Sequence, residues 1–245
     1  MTVRQRLRDW VSFLRNEYHT IRILLHRRIH ASRKDEKAIV DSFHKFYYDH
    51  HVFVEPLCTA RWFGVQAKKC PFDFWIYQEL VYDIRPDLIV ECGTSEGGSA
   101  LFFASICELL GKGRVITIDV AEKPGRPRHP RIEYVLGAST DSKTVRVVED
   151  AVRDAQTVMV ILDSDHSRQN VLNELRIYHR FVTPGSYIVV EDTNINGHPV
   201  FPEFGAGPHE AVEEFLKENP NFAVDKSREK FYLTFNPNGY LKRIR

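Results

Sequence analysis

The chain has 245 residues, 43% of them hydrophobic and 27% charged, with 34 Lys and Arg against 33 Asp and Glu for a net charge of +1. That length fits one large domain with an extension, and the composition is that of a globular protein rather than a disordered or fibrous one. The balanced charge argues against a nucleic-acid binder, and no apolar run approaches the roughly 20 residues that span a bilayer. Asp9, Glu17 and scattered arginines in the first thirty residues leave no visible secretory signal, so a cytoplasmic location is expected.

Residues 1–34 hold nine Lys or Arg and two Asp or Glu, a charge of +7, which leaves −6 on the rest of the chain. This basic arm reads as a helix, because Leu7, Trp10, Val11, Leu14, Tyr18, Ile21 and Leu25 recur at three- and four-residue steps. A second helix is predicted near 35–50, then a turn-rich stretch through Trp62, Phe63 and Gly64, then a helix near 73–83 behind Pro71. From Pro86 onward, short apolar runs alternate with helical segments. The runs are Leu88–Glu91, Val115–Asp119, Ile132–Leu136, Val158–Asp163 and Tyr187–Glu191, and the helices fall near 97–110, 141–154 and 168–181. Such alternation specifies parallel strands with crossover helices, and nearly all-apolar strands belong to a sheet covered on both faces. A helix near 208–219 and two late strands, near 229–235 and 239–244, complete the chain. The expected fold is α/β, a Rossmann-like domain over residues 71–245, with a helical N-terminal extension over 1–70. Cys58, Cys70, Cys92 and Cys107 form no Cys-x-x-Cys pair, so free thiols are expected rather than a zinc site.

The first of these strands runs into Glu91-Cys92-Gly93-Thr94-Ser95-Glu96-Gly97-Gly98-Ser99, where a helix begins. Glycines let backbone approach a ligand, and the helix start offers free N–H groups. Gly93, Ser95, Gly97 and Ser99 are therefore candidate cofactor contacts. The pattern departs from the dinucleotide fingerprint, since Ser95 stands where a second glycine belongs. An acid just ahead of the first glycine suits S-adenosylmethionine (SAM), whose amino group Glu91 would receive. Asp119 closes the second strand, where an acid binds ribose hydroxyls. Ser139 follows the third strand as a candidate adenine contact, or equally as a cap of the next helix.

The fourth run ends Asp163-Ser164-Asp165-His166 and the fifth ends Glu191-Asp192. Neighbouring parallel strands deliver their C-terminal residues to one edge, so Asp163, Glu191 and Asp192 converge there. Three carboxylates together repel one another, and an all-oxygen set favours Mg²⁺ or Mn²⁺. Asp165 is an alternative to Asp163, or a helix cap. His166 stands beside the proposed ion, and an ordinary pKa of ~6.5 suits it to general-base work. Strand-end acids also serve as caps, and a lone histidine also serves in packing.

The stretches ILDSDHS and VVEDTNINGHPVFPEFGAGPHEAVEEF, with YQEL, PDLIVECGTSEGGSALFFA and PNGYLKRI, resemble the rhamnosyl O-methyltransferase and cephalosporin-hydroxylase-like (CmcI-type) family from about residue 40 to the end. The resemblance implies a SAM-dependent methyltransferase with a divalent metal at Asp163, Glu191 and Asp192, Asp163 also facing the cofactor, and His166 at the base position. Cys92 departs from the family's glycine motif but is small enough to leave SAM binding intact. The hydroxylase part of the family name does not carry over, because no facial-triad pattern is present.

The expected reaction is methyl transfer from SAM to a hydroxyl of a small molecule or glycan, a rhamnose-like deoxyhexose first. Tyr187 and His198 are unassigned candidates for substrate contact, the loop Asn194–Pro208 is either a lid or a rigid surface loop, and Trp62 and Phe63 either wall the acceptor site or pack. A nicotinamide-dependent oxidoreductase and a non-catalytic SAM-binding protein are the alternatives. The apolar stripe of the arm is expected to make a homo-oligomer, with peripheral membrane contact at the inner face as the second reading.

Overall fold

A computed structural model describes residues 33–50 and 60–245, together with Trp10, Leu14, Glu17, Tyr18 and Ile21. The rest of the basic arm, including Leu7, Val11 and Leu25, lies outside the described residues, as does Cys58. The five described arm residues are helical, and Trp10, Leu14, Tyr18 and Ile21 are exposed. The chain falls into two compact units, divided between Phe46 and Tyr47.

Helix α1 (Arg33–Asp49) opens with Asp35 and Glu36 in its first turn, where acids complement the helix dipole. A short antiparallel hairpin follows, β1 (Arg61–Trp62) and β2 (Val65–Gln66). Helix α2 (Pro71–Ile84) begins on proline, whose fixed φ and missing N–H cost nothing at that position. The alternating part of the chain then gives β3 (Leu88–Cys92), α3 (Gly98–Leu109), β4 (Arg114–Asp119), β5 (Ile132–Leu136), α4 (Ser142–Val152), β6 (Val158–Leu162), α5 (Arg168–Tyr178) and β7 (Tyr187–Val190). Helix α6 (Pro208–Glu218), β8 (Phe222–Val224) and β9 (Tyr240–Arg243) close it.

The seven strands form one sheet in the order β5-β4-β3-β6-β7-β9-β8. The five strands from β5 to β7 are parallel, and β9 pairs antiparallel with both β7 and β8. Chain order reverses between β3 and β6, and a cleft outside the carboxyl ends is expected at such a point. Strand residues alternate between faces. Val90, Cys92, Ile116, Val160, Leu162, Ile188 and Val190 pack beneath α4, α5 and α6 with Val148, Leu175 and Phe215. Ile89, Val115, Met159, Ile161 and Val189 pack beneath α2 and α3 with Ile76, Tyr77, Leu80 and Phe103. Each large side chain so buried contributes roughly 1.5–3 kcal/mol.

The expected strand near 229–235 does not form. A 3₁₀ turn occupies Lys226–Glu229, and Tyr232 has a φ of 67° that breaks any extended run. The apolar residues there serve another purpose. Leu233 and Phe235 pack with Tyr48, Ile195 and Val200, while the Thr234 hydroxyl and the Phe235 N–H both donate to buried Asp73. The strand that pairs with β9 lies earlier, at Phe222–Val224. Cys70, Cys92 and Cys107 are free and buried, as expected.

Candidate active site

The loop after β3 fixes the floor of a cleft of about 680 Å³. Gly93 has a φ of 99°, and a Cβ there would stand 1.7 Å from the Asp163 carbonyl oxygen, so only glycine lets β3 and β6 meet this closely. Gly97 caps α3 in the left-handed region at a φ of 82°. Gly93, Ser95 and Ser99 line the cleft, together with Asp119, Gly137, Ser139, Asp163, Asp165, His166 and Asp192. Two groups of residues far apart in sequence thus share one space. One surrounds the glycine loop, and the other the ends of β6 and β7.

On the first side, Asp119 accepts from the Ser95 N–H at 2.9 Å and from the Arg126 guanidinium at 3.0 Å. Ser139 does not cap α4, because Asp141 does so by accepting from the Lys143 N–H. Instead the Ser139 hydroxyl donates to buried Glu174, which also accepts from Ser164 at 2.6 Å. Glu91 is fully buried and forms no part of the cleft lining. It sits opposite Thr117 in the ladder and accepts that hydroxyl at 2.6 Å, while its other oxygen has no partner. Burial pushes the Glu91 acid up to about 7, against Lys69 and two hydroxyls that favour its charged form.

On the second side, Asp163, His166 and Asp192 bring ligand atoms within 4.8 Å of one another. The His166 Nε2 lies 3.2 Å from Asp192 Oδ2 and 3.9 Å from Asp163 Oδ1. Burial alone would lower the His166 pKa, but Asp192, Asp163 and Glu191 outweigh it and raise it. Glu191 is less open. Its Oε1 accepts from Lys69 at 2.8 Å and from the Tyr77 hydroxyl. Lys69 also donates to Asp163 Oδ2 at 2.6 Å. Asp165 turns aside, accepting from the Ser167 N–H at 2.7 Å, so Asp163 rather than Asp165 joins the cluster. The carboxylate oxygens of Asp163 and Asp192 fit Mg²⁺ or Mn²⁺, and the His166 imidazole stands beside them.

The remaining candidates fall elsewhere. Tyr187 begins β7 at the edge opposite the cleft, and its hydroxyl donates to Asp225. His198 stacks on His209 and contacts Glu210 at 3.0 Å, outside the cleft lining. Trp62 packs edge-on against Phe102 and donates to Ser105, whereas Phe63 is 84% exposed. The loop Asn194–Pro208 is cross-linked within itself, with Asn196 bonded to Phe201 and both Gly197 and Asn194 to Val200.

The family model described as Rhamnosyl O-methyltransferase/CmcI matches residues 56–244. The chain belongs to that family. Among its curated relatives, the rhamnosyl O-methyltransferase of Mycobacterium leprae is 39% identical over 212 residues, covering 84% of this chain and 91% of the relative. That of Mycobacterium bovis is 38% identical over 213 residues, covering 84% of this chain and 85% of the relative. A solved structure of CmcI with Mg and SAM superposes with a TM-score of 0.58 at 22% identity, covering 76% of this chain and 77% of the other, a likeness of fold. The seven-stranded Rossmann-like sheet is that of the SAM-dependent O-methyltransferases, as the resemblance implied.

Within this rhamnosyl O-methyltransferase/CmcI member, the strand ends were readable from sequence, but their partners were not. Lys69, Tyr77, Arg126 and Glu174 each hold a predicted residue in place. A signal for Lys69 was available. Glu91, Asp163 and Glu191 share the alternation parity of Ile89, Ile161 and Val189, so all three face α2 and the segment ahead of it. Three acids on one buried face call for a cation, and the two lysines just before Pro71 are the nearest in that covering segment.

Proposed function

We propose that this chain is a metal-dependent O-methyltransferase that moves a methyl group from SAM to a sugar hydroxyl, with a rhamnose-like deoxyhexose on a glycolipid, glycan or natural product as acceptor. The observation that carries this reading is the meeting, in one cleft, of the glycine loop with the Asp163, His166 and Asp192 cluster. The names of the mycobacterial relatives support the sugar, and the Mg and SAM of the CmcI structure support the cofactors. In this reading residues 71–245 are the methyltransferase domain and 1–70 its helical extension.

Gly93, Ser95, Gly97 and Ser99 would cradle SAM, with Asp119 on its ribose and Ser139 beside its adenine. The cleft has the volume for the cofactor and a sugar, and buried Glu91, with one unpartnered oxygen, stands two residues before Gly93 of its lining. Asp163, Glu191 and Asp192 would hold Mg²⁺ or Mn²⁺. Together these groups supply an electrophilic methyl and an acceptor hydroxyl of lowered pKa. His166 would take the hydroxyl proton at Nε2, and Asp192, whose Oδ2 lies 3.2 Å away, would stabilise the imidazolium that results. The walls of the cleft fix the acceptor for in-line attack.

The test is turnover on rhamnosylated acceptors with SAM. EDTA is expected to abolish methyl transfer, and Mg²⁺ or Mn²⁺ to restore it; full activity in metal-free enzyme overturns the reading. A nicotinamide oxidoreductase would leave Asp163, Asp192 and His166 without a role, and titration with NAD in place of SAM separates the two.

We also infer that the N-terminal arm joins copies of the chain, because Trp10, Leu14, Tyr18 and Ile21 recur at helical spacing and are exposed. Peripheral contact with the inner membrane face, next to a cytoplasmic enzyme working on a glycolipid, is the second use of that stripe. Among the described residues no helix is long and apolar enough to cross a membrane. Removing residues 1–30 is expected to lower the assembled mass by light scattering, and an unchanged mass rejects the interface.

A further inference from the structure

Lys69 is unusual for a lysine. Its side chain is 1% exposed, yet it reaches the catalytic cleft and bridges two acids of different strands. Lysines are almost never this buried unless they are paired. The ammonium donates to Asp163 Oδ2 at 2.6 Å and to Glu191 Oε1 at 2.8 Å. Tyr77 donates to the same Glu191 oxygen and packs beneath the ammonium, which stands 5.9 Å from the centre of its ring. Asp163 Oδ1 and Asp192 Oδ2, the oxygens nearest His166, are the ones Lys69 leaves alone.

We propose that Lys69 tunes the charge of the metal site, holding one oxygen each of Asp163 and Glu191 and lowering by one the negative charge that a bound cation meets. This inference rests on the metal-dependent reading above and goes further, since it gives the protein a residue that selects the ion by charge. Asp163, Glu191 and Asp192 are joined by buried Glu91 around the ammonium, which offsets one of their negative charges. The electrostatic effect of one fixed charge scales with the charge of the ion it faces. Lys69 therefore opposes a trivalent ion half as strongly again as a divalent one.

The test is the ratio of Tb³⁺ to Mn²⁺ affinity, read by terbium luminescence and manganese paramagnetic resonance on the full chain. A ratio cancels losses common to both ions, such as a slightly displaced Asp163. Lys69→Met is expected to raise the preference for Tb³⁺ by about tenfold or more, and Lys69→Arg to restore the wild-type ratio because it keeps the charge. Should Lys69→Met fail to fold, Lys69→Gln keeps a donor for one acid and is expected to move the ratio the same way. An unchanged or lowered ratio in the neutral variants overturns the proposal. The underlying reading fails separately, and visibly, if wild-type protein binds no Mn²⁺ or if Asp192→Ala binds it as well as wild type.

Discussion

The two sides of the cleft solve the problem of holding charge in opposite ways. Around the glycine loop, Asp119 and Arg126 pair at the cleft wall with side chains 16% and 11% exposed, and the backbone of Ser95 holds both. Behind the ends of β6 and β7, an ion pair is taken fully inside, where Lys69 is 1% exposed and Glu191 is 3% exposed. The first arrangement tolerates loss of a partner, because water replaces it. The second does not, because removing one member of a buried pair strands the other at a cost of about 3–5 kcal/mol. A pair that backbone groups also hold can thus be altered piecemeal, while the buried Lys69–Glu191 bridge stands or falls as a unit.

The sharpest way to break this contrast is at the acids themselves. Asp192→Ala leaves the Lys69 bridge untouched and removes a carboxylate that faces His166. It is expected to abolish measurable Mn²⁺ binding and to lower turnover by about 10³-fold or more, on the scale of lost charge stabilisation at a reacting oxygen. The affinity for S-adenosylhomocysteine, read by calorimetry, is expected to stay within about threefold, because the glycine loop and Asp119 are separate from it. Asp163→Ala is expected to cost stability as well, since it removes one of the two acids that buried Lys69 bridges. A similar melting temperature for the two variants would show that the buried bridge is not a unit.

His166→Ala comes next, with methyl transfer slower by about 10²–10⁴-fold, the range of a lost general base. Mn²⁺ affinity is expected to survive, which separates a base from a ligand; loss of the ion instead would make His166 a ligand. The acids around His166 hold its pKa above the ordinary 6.5. Protonated imidazole pairs with Asp192 and Asp163, so a cation must displace that pairing. Metal affinity is therefore expected to fall as pH drops through the neutral range, with proton uptake opposing binding, and titration in two buffers of different ionisation enthalpy measures it.

The same contrast explains what could be read from sequence. The apolar runs with acids at their ends located the sheet, the glycine loop, Asp119, Asp163, Asp192 and His166, because strand alternation and parallel order are local patterns that the fold preserves. Glu191, expected with Asp163 and Asp192, lies outside their cluster and the cleft lining. The contacts of Glu191 were not readable. They come from Lys69 and Tyr77, more than a hundred residues earlier in the chain. The expected strand near 229–235 failed for a related reason: buried Asp73, in α2, takes the Phe235 N–H and the neighbouring Thr234 hydroxyl. Long-range polar satisfaction leaves no period in the sequence.

On the cofactor side the expected effects are smaller. Asp119→Ala is expected to weaken S-adenosylhomocysteine by roughly tenfold, the worth of about one charge-assisted hydrogen bond, with Mn²⁺ binding unchanged. Arg126 then loses one of its partners but keeps the Ser95 and Ala121 carbonyls. Little loss of stability is expected, in contrast to Asp163→Ala. Chemical denaturation of both variants at one pH makes the comparison, and equal losses would contradict it.

The smallest expected effect lies just outside the cleft, at Glu210 in the first turn of α6. Its carboxylate accepts from the Gly207 N–H at 2.7 Å, from Asn196 at 2.9 Å and from His198 at 3.0 Å, tying the loop Asn194–Pro208 to the helix. Partial burial would raise its pKa, but those donors outweigh it and hold the acid down to about 2. A depressed folded-state pKa means that the stabilisation is fully present above the ordinary value of ~4.3 and is lost as pH falls toward 2. The carboxylate is partly exposed, so solvent screens the gain to about 1–2 kcal/mol. Glu210→Gln is thus expected to lower the urea midpoint at pH 7 and to match wild type near pH 2. If the loop is a rigid wall, as its internal hydrogen bonds imply, turnover at pH 7 changes by less than about threefold. A lid would respond differently: loosening its anchor changes kcat and KM together, because opening and closing limit the cycle. Steady-state kinetics of Glu210→Gln therefore decide between the two roles of the loop, and a joint shift of both constants would establish the lid.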